Sequence, residues 1–143
     1  MRNIIEYNQI IKKVAVVFAA AFVLNAVWEN LHSLLYANYM RGQITEYILL
    51  RAALADAVMI LILAAPFIII PAIKKWSWMI IPFGMILAVL IELWAMQTGR
   101  WSYNEYMPIV PILSVGLTPL IQLGLLGYLS YKIQEWVIGR KAG

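Results

Sequence analysis

The sequence predicts an all-α polytopic membrane protein, with four transmembrane helices in one bundle. Three observations carry this. Of the 143 residues, 64% are hydrophobic and 13% are charged, against roughly 45–50% and about 25% in soluble domains. A chain this short leaves much of its surface facing water and has no soluble way to bury so much apolar area. The apolar residues also gather into four runs, each near the ~20 residues that a helix needs to cross the hydrocarbon layer. A soluble enzyme, a disordered tail and a nucleic-acid binder are excluded on these grounds. The chain has no cysteine, which removes disulfides, thiolate metal sites and cysteine nucleophiles. The single histidine, His32, excludes bis-histidine haem ligation.

The elements follow in order. The runs cover residues 14–36, 47–73, 78–97 and 110–132, within one transmembrane domain spanning residues 1–143. The first run holds Asn25, Glu29 and His32 and has no small-residue cleavage site after a short apolar core, so it reads as a span and not a secretory signal. Ahead of it, residues 1–13 read as a short amphipathic interfacial helix with Ile4, Ile5, Ile10 and Ile11 on its apolar side. Pro66 and Pro71 fall near the end of the second run, where neighbouring groups can satisfy a kinked backbone. Lys74, Lys75, Trp76, Ser77 and Trp78 read as a tight basic turn at an aromatic belt. Pro108, Pro111, Gly116 and Pro119 make the start of the fourth run irregular. Residues 134–143 read as an interfacial tail.

Basic residues orient the bundle by the positive-inside rule. Arg2, Lys12 and Lys13 precede the first run, Lys74 and Lys75 lie in the second connection, and Lys132, Arg140 and Lys141 sit at or beyond the end of the fourth. With four crossings, all of these face one side, leaving Arg41, Arg51 and Arg100 for the other. Both termini are therefore expected in the cytoplasm of a prokaryotic cell, with the chain integral to the cytoplasmic membrane.

Ionisable side chains inside a bilayer cost several kcal/mol and mark functional candidates. Glu29 lies about seven residues before the external end of its run, roughly 10 Å deep at the helical rise. Asp56 and Glu92 reach a similar depth from the second and third runs, and His32 shares the face of Glu29. The competing reading is polar glue between helices. Three acids and a histidine converging at one depth favour a pocket that faces the external side. Close carboxyls in a low dielectric do not all ionise, so at least one is expected to hold a proton.

Around this cluster the expected substrate-binding residues are Trp28, Arg51, Trp94, Arg100, Trp101, Tyr103 and Gln122. Arg51 stands near the external mouth. Arg100, Trp101 and Tyr103 lie in the aromatic connection Gln97-Thr98-Gly99-Arg100-Trp101-Ser102-Tyr103-Asn104-Glu105-Tyr106-Met107-Pro108, which is expected to fold as a lid. Gln122 is expected to face the pocket below the irregular start of the fourth run. Glu29-x-x-His32 has the spacing of carboxylate-bridged di-iron bundles, but the second such motif that those bundles need is missing. Asp56 and Glu92 would be left to complete an oxygen-rich one-metal site; neither metal nor cofactor is expected. Ser33, Ser102 and Ser114 lack the context of a nucleophile, and no glycine loop cradles a phosphate. Acid–base chemistry fits better: a protonated carboxyl donates to a double bond or epoxide, and aromatic faces stabilise the cation.

Two resemblances bear on this. The stretch Asn25-Ala26-Val27-Trp28-Glu29-Asn30-Leu31-His32-Ser33-Leu34-Leu35-Tyr36 resembles the N-x-x-W-E-x-x-x-x-x-x-Y pattern of the small integral-membrane terpene cyclases. That likeness implies acid catalysis by Glu29; those cyclases are longer, and their second catalytic acid has no counterpart fixed here. Over nearly its full length the chain resembles four-span prokaryotic membrane proteins with W-E-x-x-[HQ]-x-x-L-Y, R-A-x-x-x-D and G-R-W-x-Y-x-x-x-M-P-x-x-P. Here these are residues 28–36, 51–56 and 99–111, and the likeness brings no activity with it.

The sequence thus points to Glu29, Asp56, Glu92 and His32 as catalytic residues for cyclisation or isomerisation of a hydrophobic, isoprenoid-like molecule or lipid. The alternatives are a small proton-coupled transporter, acting as a homo-oligomer, and an accessory subunit of a membrane complex.

Overall fold

A computed structural model describes residues 2–139. Four long helices dominate: α1 (Arg2–His32), α2 (Glu46–Ile69), α3 (Ile80–Gln97) and α4 (Leu117–Gly139). They run alternately up and down, which brings the C-termini of α1 and α3 and the N-termini of α2 and α4 to one end. Helix α4 is the hub, packing against α1, α2 and α3, while α1 also packs along α2. Helices α2 and α3 are neighbours in sequence but touch little.

Three helical stretches, Glu6–Leu35, Glu46–Ile69 and Pro71–Gln97, are long and apolar enough to cross a membrane. Helix α4 is not among them, although its 23 residues reach about 34 Å at the helical rise. Its composition follows from its position. Gln122, Gly124, Gly127, Ser130 and Gln134 are all buried against other helices, so α4 needs less apolar surface than its neighbours.

Close backbone approach fixes the α3–α4 crossing. A Cβ on Gly84 would stand 2.5 Å from the Cα of Gly124, and one on Gly124 would stand 2.5 Å from the carbonyl oxygen of Ile81. Small residues at such crossings let van der Waals packing and polar contacts hold helices where lipid supplies no hydrophobic drive. Ala21, Ala53, Ala57 and Ala64 are likewise fully buried along the contacts of α1 and α2.

Several boundaries differ from the sequence reading. Helix α1 is continuous from Arg2, so residues 2–13 extend the first helix and form no separate interfacial one; Met1 lies outside the described residues. The expected basic turn is part of a longer 3-10 stretch, Pro71–Met79, broken by non-helical φ/ψ at Trp76. The fourth helix starts at Leu117, and the expected start at Val110 lies instead in a hairpin of β3 (Ile109–Val110) and β4 (Val115–Gly116). Helix α4 then runs through Gln134 to Gly139, where a loose tail was expected; residues 140–143 lie outside the described residues.

The first and third connections meet as a second antiparallel pair, β1 (Tyr36–Tyr39) with β2 (Trp101–Tyr103), bulged between Tyr36 and Asn38. Asn38 Nδ2 donates to Ser102 Oγ at 2.8 Å. Just beyond the end of α3, Gly99 holds φ of +66°, the left-handed conformation that closes a helix. The backbone N–H of Arg100 then donates back to Ala95 at 2.8 Å. This turn aims β2 across the strand end of the bundle.

Candidate functional site

Glu92 sits one turn before the end of α3 and is buried to 5% exposure. Trp101 and Tyr103 are two apart on β2, so the pleat points both to one face, and Tyr36 pairs opposite Tyr103. All three aim at the Glu92 carboxyl. The Tyr36 hydroxyl donates to Oε1 at 3.2 Å and Trp101 Nε1 donates to Oε2 at 3.1 Å. Tyr103 also donates to Oε2, and its hydroxyl oxygen accepts from the Gly116 N–H at 3.0 Å. Burial, and then the bond to Glu92, push the Tyr103 hydroxyl well above the ordinary tyrosine range, so it keeps its proton. The two strand pairs are thereby pinned to a single acid on α3.

A second polar cluster joins three helices. Asn25 and Glu29 are four apart on α1 and share a face. Asn25 Nδ2 donates to the Ala21 carbonyl at 2.8 Å, which turns its Oδ1 toward α4. Gln122 Nε2 meets Asn25 Oδ1 at 2.9 Å, Glu29 Oε1 at 2.6 Å and Asp56 Oδ2 at 2.8 Å. One amide nitrogen carries two hydrogens, so three acceptors compete for two bonds. The Glu29 and Asp56 carboxyls thus stand side by side on one nitrogen.

His32, one turn beyond Glu29, is 6% exposed, and its Nδ1 lies 3.9 Å from Glu29 Oε1. Both ring nitrogens are buried without a hydrogen-bond partner. Its ring meets that of Tyr36 edge to face, with centroids 4.8 Å apart.

These groups line one cavity with an empty volume of about 730 Å³ including its open mouth. Glu29, His32, Asp56, Glu92, Trp101 and Gln122 all border it, and its remaining wall is mostly apolar. No lysine or arginine lines it. Among the described residues, no group of three or more His, Asp or Glu side chains is arranged to hold a metal ion.

The structure therefore brings together Glu29, His32, Asp56, Glu92, Trp101 and Gln122, with Tyr103 behind Glu92. The other expected substrate-binding residues stand apart. Arg51 is exposed on α2 with its guanidinium 5.7 Å from the centre of the Tyr47 ring. Trp94 is 49% exposed and carries the Arg100 guanidinium 4.5 Å above its ring. Trp28 packs on the core, and its indole N–H is buried without a partner. Three residues of the site were not singled out from sequence: Asn25, Tyr36 and Tyr39. For Asn25 the signal was its spacing of four from Glu29. Tyr36 and Tyr39 carried none, because their spacing of three misses the strand period of two, and a bulge in β1 interrupts it. No family model, curated protein or solved structure matches the chain.

Proposed function

We propose that the chain is a four-span membrane protein whose outer-leaflet cavity performs acid–base chemistry, cyclisation or isomerisation, on a hydrophobic isoprenoid-like molecule. Helix α4 is the fourth span, shielded from lipid by its neighbours, and the lysine-rich connection between α2 and α3 faces the cytoplasm. The observation that carries the reading is the pair of carboxyls, Glu29 and Asp56, gathered on the one Gln122 nitrogen at 2.6 and 2.8 Å at the edge of an apolar cavity, where close carboxyls share a proton. That proton passes from the pair to a carbon of a substrate double bond. The positive charge then developing on the substrate faces the rings of Tyr36, Tyr39 and Trp101, which attract cations, and the Glu92 carboxylate. The Gln122 amide stabilises the anion left on the pair. The pair takes back a proton from an adjacent carbon, so an isomerisation or cyclisation closes with atoms and charge balanced and no co-reactant.

The test is deuterium incorporation. Purified protein and a polyisoprenoid lipid extract in D₂O should give a lipid deuterated at carbon. Glu29→Gln should lower the rate about 10²–10⁴-fold, the range for losing a general acid. Equal incorporation by Glu29→Gln, or none by the unaltered protein, overturns the reading. The transporter alternative requires a wet path beneath the cavity. Val17, Ala21, Ala57 and Ile60 form a fully buried apolar layer there, which supports chemistry within the cavity over passage through it.

A further inference from the structure

We infer that the cavity binds a neutral lipid bearing a hydroxyl group, whose oxygen sits between His32 and Glu29 and whose apolar chain leaves sideways between α2 and α3. The inference rests on the cavity being a substrate site and not on the proton chemistry proposed for it.

The polar end follows from which groups lack partners. Glu92 already receives three hydrogen bonds. Glu29 and Asp56 share the Gln122 amide. His32, 6% exposed and bordering the cavity, has a partner on neither nitrogen. A neutral imidazole with its proton on Nδ1 donates there, and the Glu29 carboxyl oxygen accepts, so the group between them must accept from one and donate to the other. A hydroxyl does both. A carboxylate only accepts and would face three acids with no cation in the wall, and a quaternary ammonium makes no N–H or O–H hydrogen bond. Distance agrees with this. Nδ1 of His32 and Oε1 of Glu29 are 3.9 Å apart, too far to bond directly. One oxygen at about 2.8 Å from each would see them at roughly 90°, so a single hydroxyl bridges them.

The apolar end follows from the walls. Ile48, Ala52 and Asp56 recur every four residues along one stripe of α2, and Ala88, Ile91 and Glu92 form the facing stripe of α3; all six line the cavity. Ile48, Ala52 and Ile91 are only half-buried, because α2 and α3 make little contact. Small and apolar side chains at this gap leave an opening that faces hydrocarbon.

The experiment uses the purified full chain and a long-chain primary alcohol with a photoreactive diazirine in its tail. Mass spectrometry should place the label on Ile48, Ala52 or Ile91. His32→Ala should weaken labelling at least about tenfold, as expected for a lost buried hydrogen bond, and His32→Gln should restore part of it. The matching carboxylate and trimethylammonium compounds should compete poorly. Ala52→Trp, which fills the opening and leaves His32 intact, should also block labelling, and so keeps the test decisive if His32→Ala fails to fold. Labelling that ignores both His32→Ala and Ala52→Trp, label confined to other helices, or stronger competition by the trimethylammonium compound overturns the inference. Glu29→Gln keeps an oxygen acceptor beside His32 and should retain the label. Retained label with lost deuteration separates this binding mode from the catalytic reading, and deuteration without alcohol binding sinks the binding mode alone.

Discussion

Replacing Gln122 by leucine tests whether the polar cluster is held by one side chain. Gln122 is 5% exposed, and leucine fills a similar volume without a donor. The Gln122 amide faces acceptors at 2.9, 2.6 and 2.8 Å, but its two hydrogens satisfy only two at a time. Hydrogen bonds between membrane helices average about 0.6 kcal/mol and reach about 1.7. Two of them put the loss at roughly 1–3 kcal/mol. The assay is reversible unfolding in mixed micelles, followed by helical circular dichroism. Asp56→Asn supplies the control, because its new amide can donate to Glu29 in place of Gln122. In that background Gln122→Leu should cost less by at least about 0.5 kcal/mol, the lower end of coupling between contacting residues. A Gln122→Leu variant within about 0.5 kcal/mol of the unaltered protein, or strict additivity of the two substitutions, would refute the reasoning.

Other consequences follow from the packing. Gly124→Ala sets a methyl group against the Ile81 backbone at 2.5 Å, and since no side chain can yield it should cost about 1–3 kcal/mol, read as a lower thermal midpoint. Met40 and Arg41 hold φ of 52° and 63° in the turn that links Tyr39 to Gly42 through two backbone bonds. The replacements Met40→Asn and Arg41→Gly suit that turn and should raise stability by about 1–2 kcal/mol in the same unfolding assay. At the opposite end, burial would raise the Glu135 carboxyl, but hydrogen bonds from Lys132 and Lys74 outweigh it and hold it below the ordinary glutamate value of 4.5. A depressed carboxyl contributes stability that is present above its unfolded value and lost as pH falls through its folded one. Stability should therefore drop below about pH 4.5, and Glu135→Gln should flatten that limb. The half-exposed lysines limit the effect to about 1 kcal/mol.

Much of the bundle was legible because long apolar runs set where helices form and how long they are. The depth reached by Glu29, Asp56 and Glu92 could be read from counting residues at a fixed rise, and their convergence in one cavity follows from it. The strands were not legible in the same way. Tyr36–Tyr39 and Trp101–Tyr103 pair across more than sixty intervening residues, and each alone reads as an aromatic belt. Nor did the sequence separate Trp101 from Trp94. Both flank Glu92 closely, but Trp94 lies on the helix face that turns outward, whereas Trp101 folds back after Gly99. Arg51 was drawn toward the pocket by its charge and its nearness to Asp56 along the chain. Five residues of helix carry it to the outer side of α2, where Tyr47 lies within reach. The boundary of α4 was obscured because Val110, Ile112 and Leu113 are as apolar as a span, although Ile112 is 95% exposed at the tip of a hairpin.

The three buried acids are supplied unevenly with hydrogen bonds, and that divides their work. Glu92 has three donors from the strands, so its charge is matched where it stands and its removal would first release β1 and β2 from α3. Glu29 and Asp56 draw on a single amide shared with Asn25. His32 has no donor or acceptor at all. Buried polar groups in folded proteins are almost always satisfied, and departures from that rule gather at functional sites. Apart from the Trp28 indole N–H, the deficit is not scattered. It lies on the α1–α2 side of the cavity, facing the apolar gap toward α3, while the fully supplied acid lies on the strand side. A purely structural network would spread its donors so that each acid was covered, and α4 has the polar positions to do so, since Ser130 and Gln134 are buried further along the same helix. The shortage next to His32 is therefore the feature on which the proposed site rests against a reading as helix glue.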